Sequence, residues 1–179
     1  MTDDAQALSE IRRLDPAALG ALHDRHFPEL FRYARYRLGD LEVAEDAVSE
    51  TFVRLLQAVR EGRGPRTSMR GWLFGTLRHI VDDHYRIEYG RPAESLAGQE
   101  IVDDSGPDHI VEDRQLQERL RQAMRNLTSE QQHVLALRFG GEYSLEETAA
   151  LTGSNSNAIK ALKFRALQSL RRALAKETP

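Results

Sequence analysis

The polar side chains best suited to contact another molecule stand where the last apolar-periodic segment of the chain begins. Asn155, Ser156, Asn157 and Lys160 follow a glycine-containing turn at 152–154. Asparagine can pair bidentately with adenine, and lysine can reach guanine or a phosphate. The apolar residues that follow recur at helical spacing and place Asn157 and Lys160 on the opposite, polar side. This arrangement is typical of a recognition helix whose first turns face base edges in the major groove.

Two more residues, Phe164 and Arg165, fall on the same polar side of this helix. Phe164 would either touch a thymine methyl group or pack against a protein partner. A helix pair that packs without touching DNA remains the other interpretation. The charge favours DNA, because residues 153–179 carry six basic and one acidic side chain.

A second group of polar and aromatic side chains shares one face of a helix predicted at about 70–86. Steps of four, three, four and three residues align Trp72, Thr76, His79, Asp83 and Arg86. An aromatic beside basic side chains suits single-stranded DNA, where stacking of a base is worth about 1–3 kcal/mol. Trp72 is equally compatible with a place at the edge of the core. The opposite face, which we expect to be buried, comprises Leu73, Leu77, Ile80, Val81 and His84.

Histidine and aspartate on this helix raise the question of a metal or hydrolytic site. His79 and Asp83 are four residues apart and can share a ligand, but His84 projects about 140° from His79. The sequence has no glycine-rich phosphate loop and no nucleophile motif. We therefore predict no enzymatic activity, no metal and no cofactor.

Helical signals fill nearly the whole chain, and no segment alternates like a strand. We predict helices from Asp15-Pro16 to Gly39, from Glu42 to about Arg60, from about Arg70 to Arg86 and from Glu112 to Asn126. Three further helices follow: one capped by Thr128 or Ser129 and ending at Gly140-Gly141, one opened by the Ser144–Glu147 capping box, and one from Asn155 or Ser156 to about Ala175.

Charge and composition divide the chain in two. Residues 61–92 carry a net charge of +2 and residues 153–179 a net charge of +5, whereas residues 93–119 carry −6. Gly, Pro and acidic residues concentrate between Gly90 and Pro107, as in a flexible linker. The chain contains no cysteine, which excludes disulfides and fits a reducing compartment. No apolar run is long enough to span a bilayer.

Three segments in this order resemble the sigma-70 family of RNA polymerase subunits. Segment 44–56 (AEDAVSETFVRLL) is similar to region 2.2, segment 71–86 (GWLFGTLRHIVDDHYR) to the promoter-reading helix that follows, and segment 145–174 to region 4. Their order, their spacing and the chain length resemble the compact extracytoplasmic-function (ECF) group. One departure is the pair Leu162-Lys163, where many members have the basic residue first.

The resemblance implies an all-α protein with two small helical domains. Residues 1–89 would form the region 2 helical bundle, 90–111 a flexible linker, and 112–179 the region 4 helix-turn-helix. Region 2.2 would bind core polymerase through Asp46, Glu50, Phe52 and Arg54. The −10 element would be contacted by Arg66, Ser68, Met69, Trp72, Thr76, His79, Asp83 and Arg86. The −35 element would be contacted by Asn155, Ser156, Asn157, Lys160, Phe164 and Arg165.

The resemblance also implies partners. These are core RNA polymerase, through its β′ clamp helices and β flap, promoter DNA, and an anti-sigma factor that clamps both domains. The protein would act in the cytoplasm, without membrane insertion, as an alternative sigma factor that directs promoter recognition, promoter melting and transcription initiation. The alternative function is that of a helix-turn-helix transcription regulator that is not a polymerase subunit.

Overall fold

A computed structural model describes residues 8–9, 11–89, 115–116, 119–120 and 122–176. The described residues form helices and turns and contain no strand, so the all-α prediction is confirmed. The helices are α1 (Pro16–Leu38), α2 (Leu41–Arg60), α3 (Met69–Tyr89), α4 (Ser129–Leu135), α5 (Leu145–Thr152) and α6 (Ser156–Lys176), with a π-helical turn (Ala136–Gly140) directly after α4.

Helices α1 to α3 form a bundle in the first half of the chain, and local signals fix their ends. The Asp15 side chain accepts a hydrogen bond from the Ala18 N–H at 2.9 Å, and proline occupies the first turn of α1, as predicted. Gly39 ends α1 with a φ of 74°, a left-handed conformation that glycine adopts without strain. Asp40 caps α2, which begins at Leu41, one residue before the predicted start.

The second half contains α4, the π turn, α5 and α6. Thr128 caps α4 in a capping box with Gln131. The predicted box of Ser144 and Glu147 is present at the start of α5. The helix predicted to run on toward Gly140 instead widens into the π turn, a local distortion that often occurs at functional sites.

The two halves share one hydrophobic core. Ala136, Leu137 and Tyr143 of the second half belong to the same buried cluster as Tyr33 of α1 and Phe74 of α3. Two smaller clusters lie within the second half, where α6 packs on α4 and α5. The sequence predicted two tethered domains, and in the structure the two halves of the described chain contact each other directly.

The predicted linker 90–111 lies outside the described residues, as does most of the helix predicted from Glu112 to Asn126. In that helix, residues 115–116, 119–120 and 122–124 are described and are helical. Among the helices described, none has an apolar stretch sufficient to cross a membrane.

Candidate nucleic-acid interfaces

The outer face of α6 presents a row of side chains to solvent. Asn157, Lys160 and Arg165 are exposed, and Phe164 exposes 61% of its surface. The opposite face is buried, with Ile159 packed among residues of α4 and α5. One face of α6 is therefore packed against the protein and the opposite face is exposed to solvent, as the periodicity predicted.

The start of α6 is held by its own cap. The Asn155 Oδ1 atom accepts a hydrogen bond from the Ala158 N–H at 2.9 Å, so this predicted DNA contact also has a structural role. Ser156 is half-buried. Gly153, with a φ of 64°, makes the tight turn that connects α5 to α6.

Helix α5, which supports that turn, is fixed by the capping box at its N-terminus. The Ser144 N–H donates to the Glu147 carboxylate at 2.8 Å, and the Glu147 N–H donates to the Ser144 hydroxyl at 3.1 Å. The backbone hydrogen bond from Ser144 lowers the pKa of Glu147. The capping box can be recognised in the sequence, and it fixes the start of α5, the first helix of the helix-turn-helix.

Helix α3 has three faces. The first, with Leu73, Leu77 and Val81, is completely buried in the bundle of the first half. The second faces the other half of the chain and comprises Arg70, Phe74, Arg78 and Asp82. The third is open and comprises the predicted DNA-contacting residues, of which His79 and Arg86 are exposed and Trp72, Thr76 and Asp83 half-buried.

Trp72 combines both roles considered for it, because it packs partly against the core and remains half-exposed. Asp83 and Arg86 pair with each other through a hydrogen bond. The predicted buried face was incomplete. Phe74 and Tyr85 are buried as well, whereas His84 is only half-buried.

Three of the residues predicted to contact the −10 element, Arg66, Ser68 and Met69, lie at or just before the start of α3. Met69 is 1% exposed and lies in the core, which corrects the expectation that its side chain faces DNA. Ser68 accepts a hydrogen bond from the Gly71 N–H at 3.0 Å and so caps α3. Arg66 is exposed. It borders a cavity of about 110 Å³ between this loop and the chain segment around Ile11.

The predicted polymerase-binding residues lie on α2. Asp46 is exposed, and Glu50 pairs with Arg54 at 2.9 Å. The Phe52 ring is covered by His23, with ring centroids 4.8 Å apart. Val53, which we did not predict, is 46% exposed on this helix. Val53 lies within segment 44–56, but the resemblance of that segment to region 2.2 did not single it out.

The histidines of α3 gather no metal-ligand set. No group of three or more His, Cys, Asp or Glu with metal-binding geometry occurs in the part of the chain that the structure describes.

Comparisons with known proteins agree with this geometry. Sigma-70 region 2 matches residues 22–88, and sigma-70 region 4 matches residues 123–172. The ECF RNA polymerase sigma factor BldN of Streptomyces coelicolor is 32% identical over 97% of this chain and 67% of its own length. SigD of Mycobacterium tuberculosis, also an ECF RNA polymerase sigma factor, is 30% identical over 80% of this chain and 71% of its own.

Among solved structures, CnrH in complex with the cytosolic domain of CnrY has the same fold. It has a TM-score of 0.65 and 23% identity, and the match covers 98% of this chain and 99% of CnrH.

The chain belongs to the sigma-70 family and, within it, to the ECF sigma factors. It is an alternative sigma factor that binds DNA and directs transcription initiation. Sigma factors bind core RNA polymerase and are not catalytic enzymes.

Proposed function

We propose that this sigma factor divides promoter recognition between its two halves. Residues 1–89 form the region 2 domain, which binds core polymerase and the −10 element. Residues 112–179 form the region 4 domain, which binds the −35 element, and residues 90–111 link the two. The two matched regions, 22–88 and 123–172, fall within these bounds and support the division.

The −35 element is read as duplex DNA by α6, and the exposed row on this helix is the observation that carries the proposal. Asn157, Lys160 and Arg165 point away from the buried face. Phosphate contacts position the domain, and contacts to base edges then specify the sequence. Of the predicted set, Asn155 contributes mainly by capping the start of the helix.

The −10 element is read after melting by the open face of α3 and the loop before it. Trp72 offers a half-exposed ring on which a base can stack, and His79 and Arg86 extend the face. The cavity beside Arg66 accepts an unstacked base. Flipping a base out of the duplex costs a few kcal/mol, which stacking and pocket contacts offset.

Core polymerase is bound through α2, with the β′ clamp helices as its partner. Asp46 and the Glu50–Arg54 pair supply charge, and the exposed Val53 supplies an apolar contact beside the covered Phe52 ring. The region 4 domain contacts the β flap.

The decisive experiment is run-off transcription with purified core polymerase and no other sigma factor. This protein should start transcription at a defined position on its promoter. If it binds promoter DNA but core polymerase stays inactive, the protein is a helix-turn-helix regulator rather than a polymerase subunit.

Trp72→Ala tests the single-strand role of α3. We expect the variant to lose open-complex formation, measured by permanganate reactivity of unpaired thymines, while closed-complex binding stays near that of the wild type. Phe164→Ala is the control, because it removes an exposed aromatic side chain from the other reading helix. Equal losses of both activities in Trp72→Ala would refute the assignment.

The remaining expectations complete the proposal. The protein acts in the cytoplasm, where polymerase and DNA are, without catalytic activity, metal or cofactor. A protein inhibitor, an anti-sigma factor, clamps its two domains. CnrH has the same fold as this chain, and its complex with the cytosolic domain of CnrY supports this expectation. A purified inhibitor should abolish run-off transcription in proportion to its concentration.

A further inference from the structure

The last turn of α3 carries the most exposed large apolar side chain in the part of the chain that the structure describes. Ile87 exposes 85% of its surface, whereas the next most exposed of these side chains, Phe164, exposes 61%. A single apolar residue on a protein surface is common and by itself indicates nothing. What distinguishes Ile87 is the face of the helix on which it lies.

Ile87 lies on the open face of α3, the face predicted to contact the −10 element. At 100° per residue it projects about 20° from Thr76 and about 60° from Trp72, whereas His79 and Arg86 project about 80° and 100° to one side of it. The open face therefore has an apolar edge and a polar edge. Ile80, on the apolar edge, is half-buried and packs against the core.

The helix end that carries Ile87 is held in place by the bundle. Tyr85 is 4% exposed, and its hydroxyl donates a hydrogen bond to the Arg37 carbonyl near the end of α1. Helix α1 ends at Leu38, so the last turn of α3 continues beyond it. Ile87 is thus presented to solvent from an ordered backbone, which lowers the entropy that a contact would cost.

Distance along α3 indicates which part of a promoter Ile87 would meet. About four helical turns separate it from Trp72, or about 22 Å at 1.5 Å per residue. A duplex rises about 3.4 Å per base pair, so 22 Å corresponds to about six or seven pairs. The chain continues from α3 toward the domain proposed to bind the −35 element, which lies upstream. With an unstacked −10 base at Trp72, Ile87 would therefore lie over paired DNA upstream of it.

The packing of α3 decides between the two grooves of that duplex. The major groove, about 12 Å wide, admits a whole helix, but α3 is packed on two sides and is not free to enter it. The minor groove is about 6 Å wide and admits single side chains, and isoleucine is one of the apolar residues that proteins insert there. Arg86 pairs with Asp83 on the surface, and such a pair is weak enough for a phosphate to replace the carboxylate.

We propose that Ile87 enters the minor groove of the duplex directly upstream of the −10 element and reads how easily its base steps unstack. This inference rests on the proposed function, since it takes the open face of α3 as the face that binds the −10 element. Insertion of an apolar side chain partly unstacks a base step, and pyrimidine–purine steps such as TA resist this least. Ile87 therefore favours promoters with a TA step at that place.

Open-complex formation by the holoenzyme on matched templates tests the contact. The templates differ only in the steps directly upstream of the −10 element, which are TA in one and GG in the other. With the wild-type protein, permanganate reactivity should favour the TA template by about 3- to 10-fold. Ile87→Ala should reduce this preference to less than about twofold, and Ile87→Leu should keep most of it.

Phe139→Ala is the matched control for the loss of exposed apolar surface. Phe139 is 52% exposed in the second half of the chain, so its truncation should leave the TA preference unchanged. Because Ile87 is also exposed, Ile87→Ala should fold normally, which circular dichroism would show. The proposal is overturned if Ile87→Ala keeps the full preference, or if the wild-type protein has none. Weaker binding of Ile87→Ala to core polymerase without DNA, with the TA preference intact, would place Ile87 at a protein contact and also overturn it.

Trp72→Ala in the same assay separates this inference from the proposed function. If Trp72→Ala opens promoters normally while Ile87→Ala loses the TA preference, the −10 assignment of the open face fails and the duplex contact of Ile87 remains. If Trp72→Ala abolishes opening while Ile87→Ala behaves as the wild type, the −10 assignment stands and the contact of Ile87 is refuted.

Discussion

The two helices assigned to promoter reading, α3 and α6, are both 21 residues long, yet they are held very differently. Helix α3 is packed on two sides, by the first bundle and by the second half of the chain. Helix α6 is packed on its inner side and leaves Phe164, Lys160 and Arg165 in solvent. Two helices of equal length and similar amphipathicity can therefore differ in how much of their surface is exposed.

The difference follows from where the apolar residues fall. In α3, Phe74 and Tyr85 widen the buried surface beyond the stripe of Leu73, Leu77 and Val81, and this wider surface receives the second half. In α6, no large buried side chain stands outside the inner stripe. The second half of the chain therefore covers one face of α3, the face that includes Phe74, but leaves the third face of α3 and the outer face of α6 accessible.

Phenylalanine truncation on each helix should give the largest difference between them. Phe74 is fully buried and makes edge contacts with Tyr33 and Tyr143, with centroids 5.6 Å away in both cases. Phe74→Ala should lower the free energy of unfolding by about 3–5 kcal/mol, measured by urea denaturation. Phe164→Ala should change it by less than about 0.5 kcal/mol. Comparable losses in the two variants would contradict the contrast between the helices.

Removal of one hydroxyl from the interface should have an intermediate effect. Tyr143→Phe keeps the ring against Arg70 and deletes the hydrogen bond to the charged Glu29. The free energy of unfolding should fall by about 1.5–3 kcal/mol, measured by urea denaturation, because the acceptor is charged. Tyr85→Phe is the control, because its hydroxyl donates to the neutral Arg37 carbonyl within the first half. Its loss should be smaller, about 0.5–1.5 kcal/mol.

Acid should weaken the contact through His133. Burial lowers the pKa of this imidazole well below 6.5, and the charges of Arg78, Arg37 and His79 lower it further. The folded protein thus binds no proton at pH values where the unfolded chain, with an ordinary histidine pKa, does. The contribution of His133 to the free energy of unfolding is therefore complete above pH 6.5 and should fall by up to about 1.4 kcal/mol per pH unit below it. Urea denaturation between pH 7.5 and 5.5 would follow this loss.

The charged neighbours of His133 allow the pH effect to be assigned. Asp82 pairs with Arg37, and the Tyr33 hydroxyl hydrogen-bonds to the His133 ring, so protonation of His133 would add a positive charge beside two arginines in a buried site. His133→Gln should flatten the pH dependence, whereas His23→Gln, at a solvent-exposed site, should preserve it. Glu29, with a pKa of about 2 in the folded protein, stays charged throughout this range.

Short-range signals in the sequence predicted most of the fold. The caps at Asp15 and Ser144 and the turn at Gly153 involve neighbours within three or four residues, so their chemistry is legible in the chain. The exposed row on α6 was predictable for the same reason. The interface was not, because Tyr33 and His133 are 100 residues apart and each reads locally as an ordinary helix residue. Met69, expected in the loop, is the first residue of α3 and is buried, which its position in the sequence did not indicate.

A single lysine on α6 should give the smallest effect and the most specific one. Lys160→Ala removes an exposed cation from the reading face, so binding to −35 duplex DNA should weaken equally for all sequences if its contact is a phosphate. The slope of log affinity against log salt should then fall by about one. Lys163→Ala, three residues on and half-buried, removes the same charge away from that face and should leave the slope nearly unchanged. Equal changes of the salt slope in both variants would mean that α6 attracts DNA through its overall charge. The difference between α6 and α3 would then be only in how much of each helix is exposed.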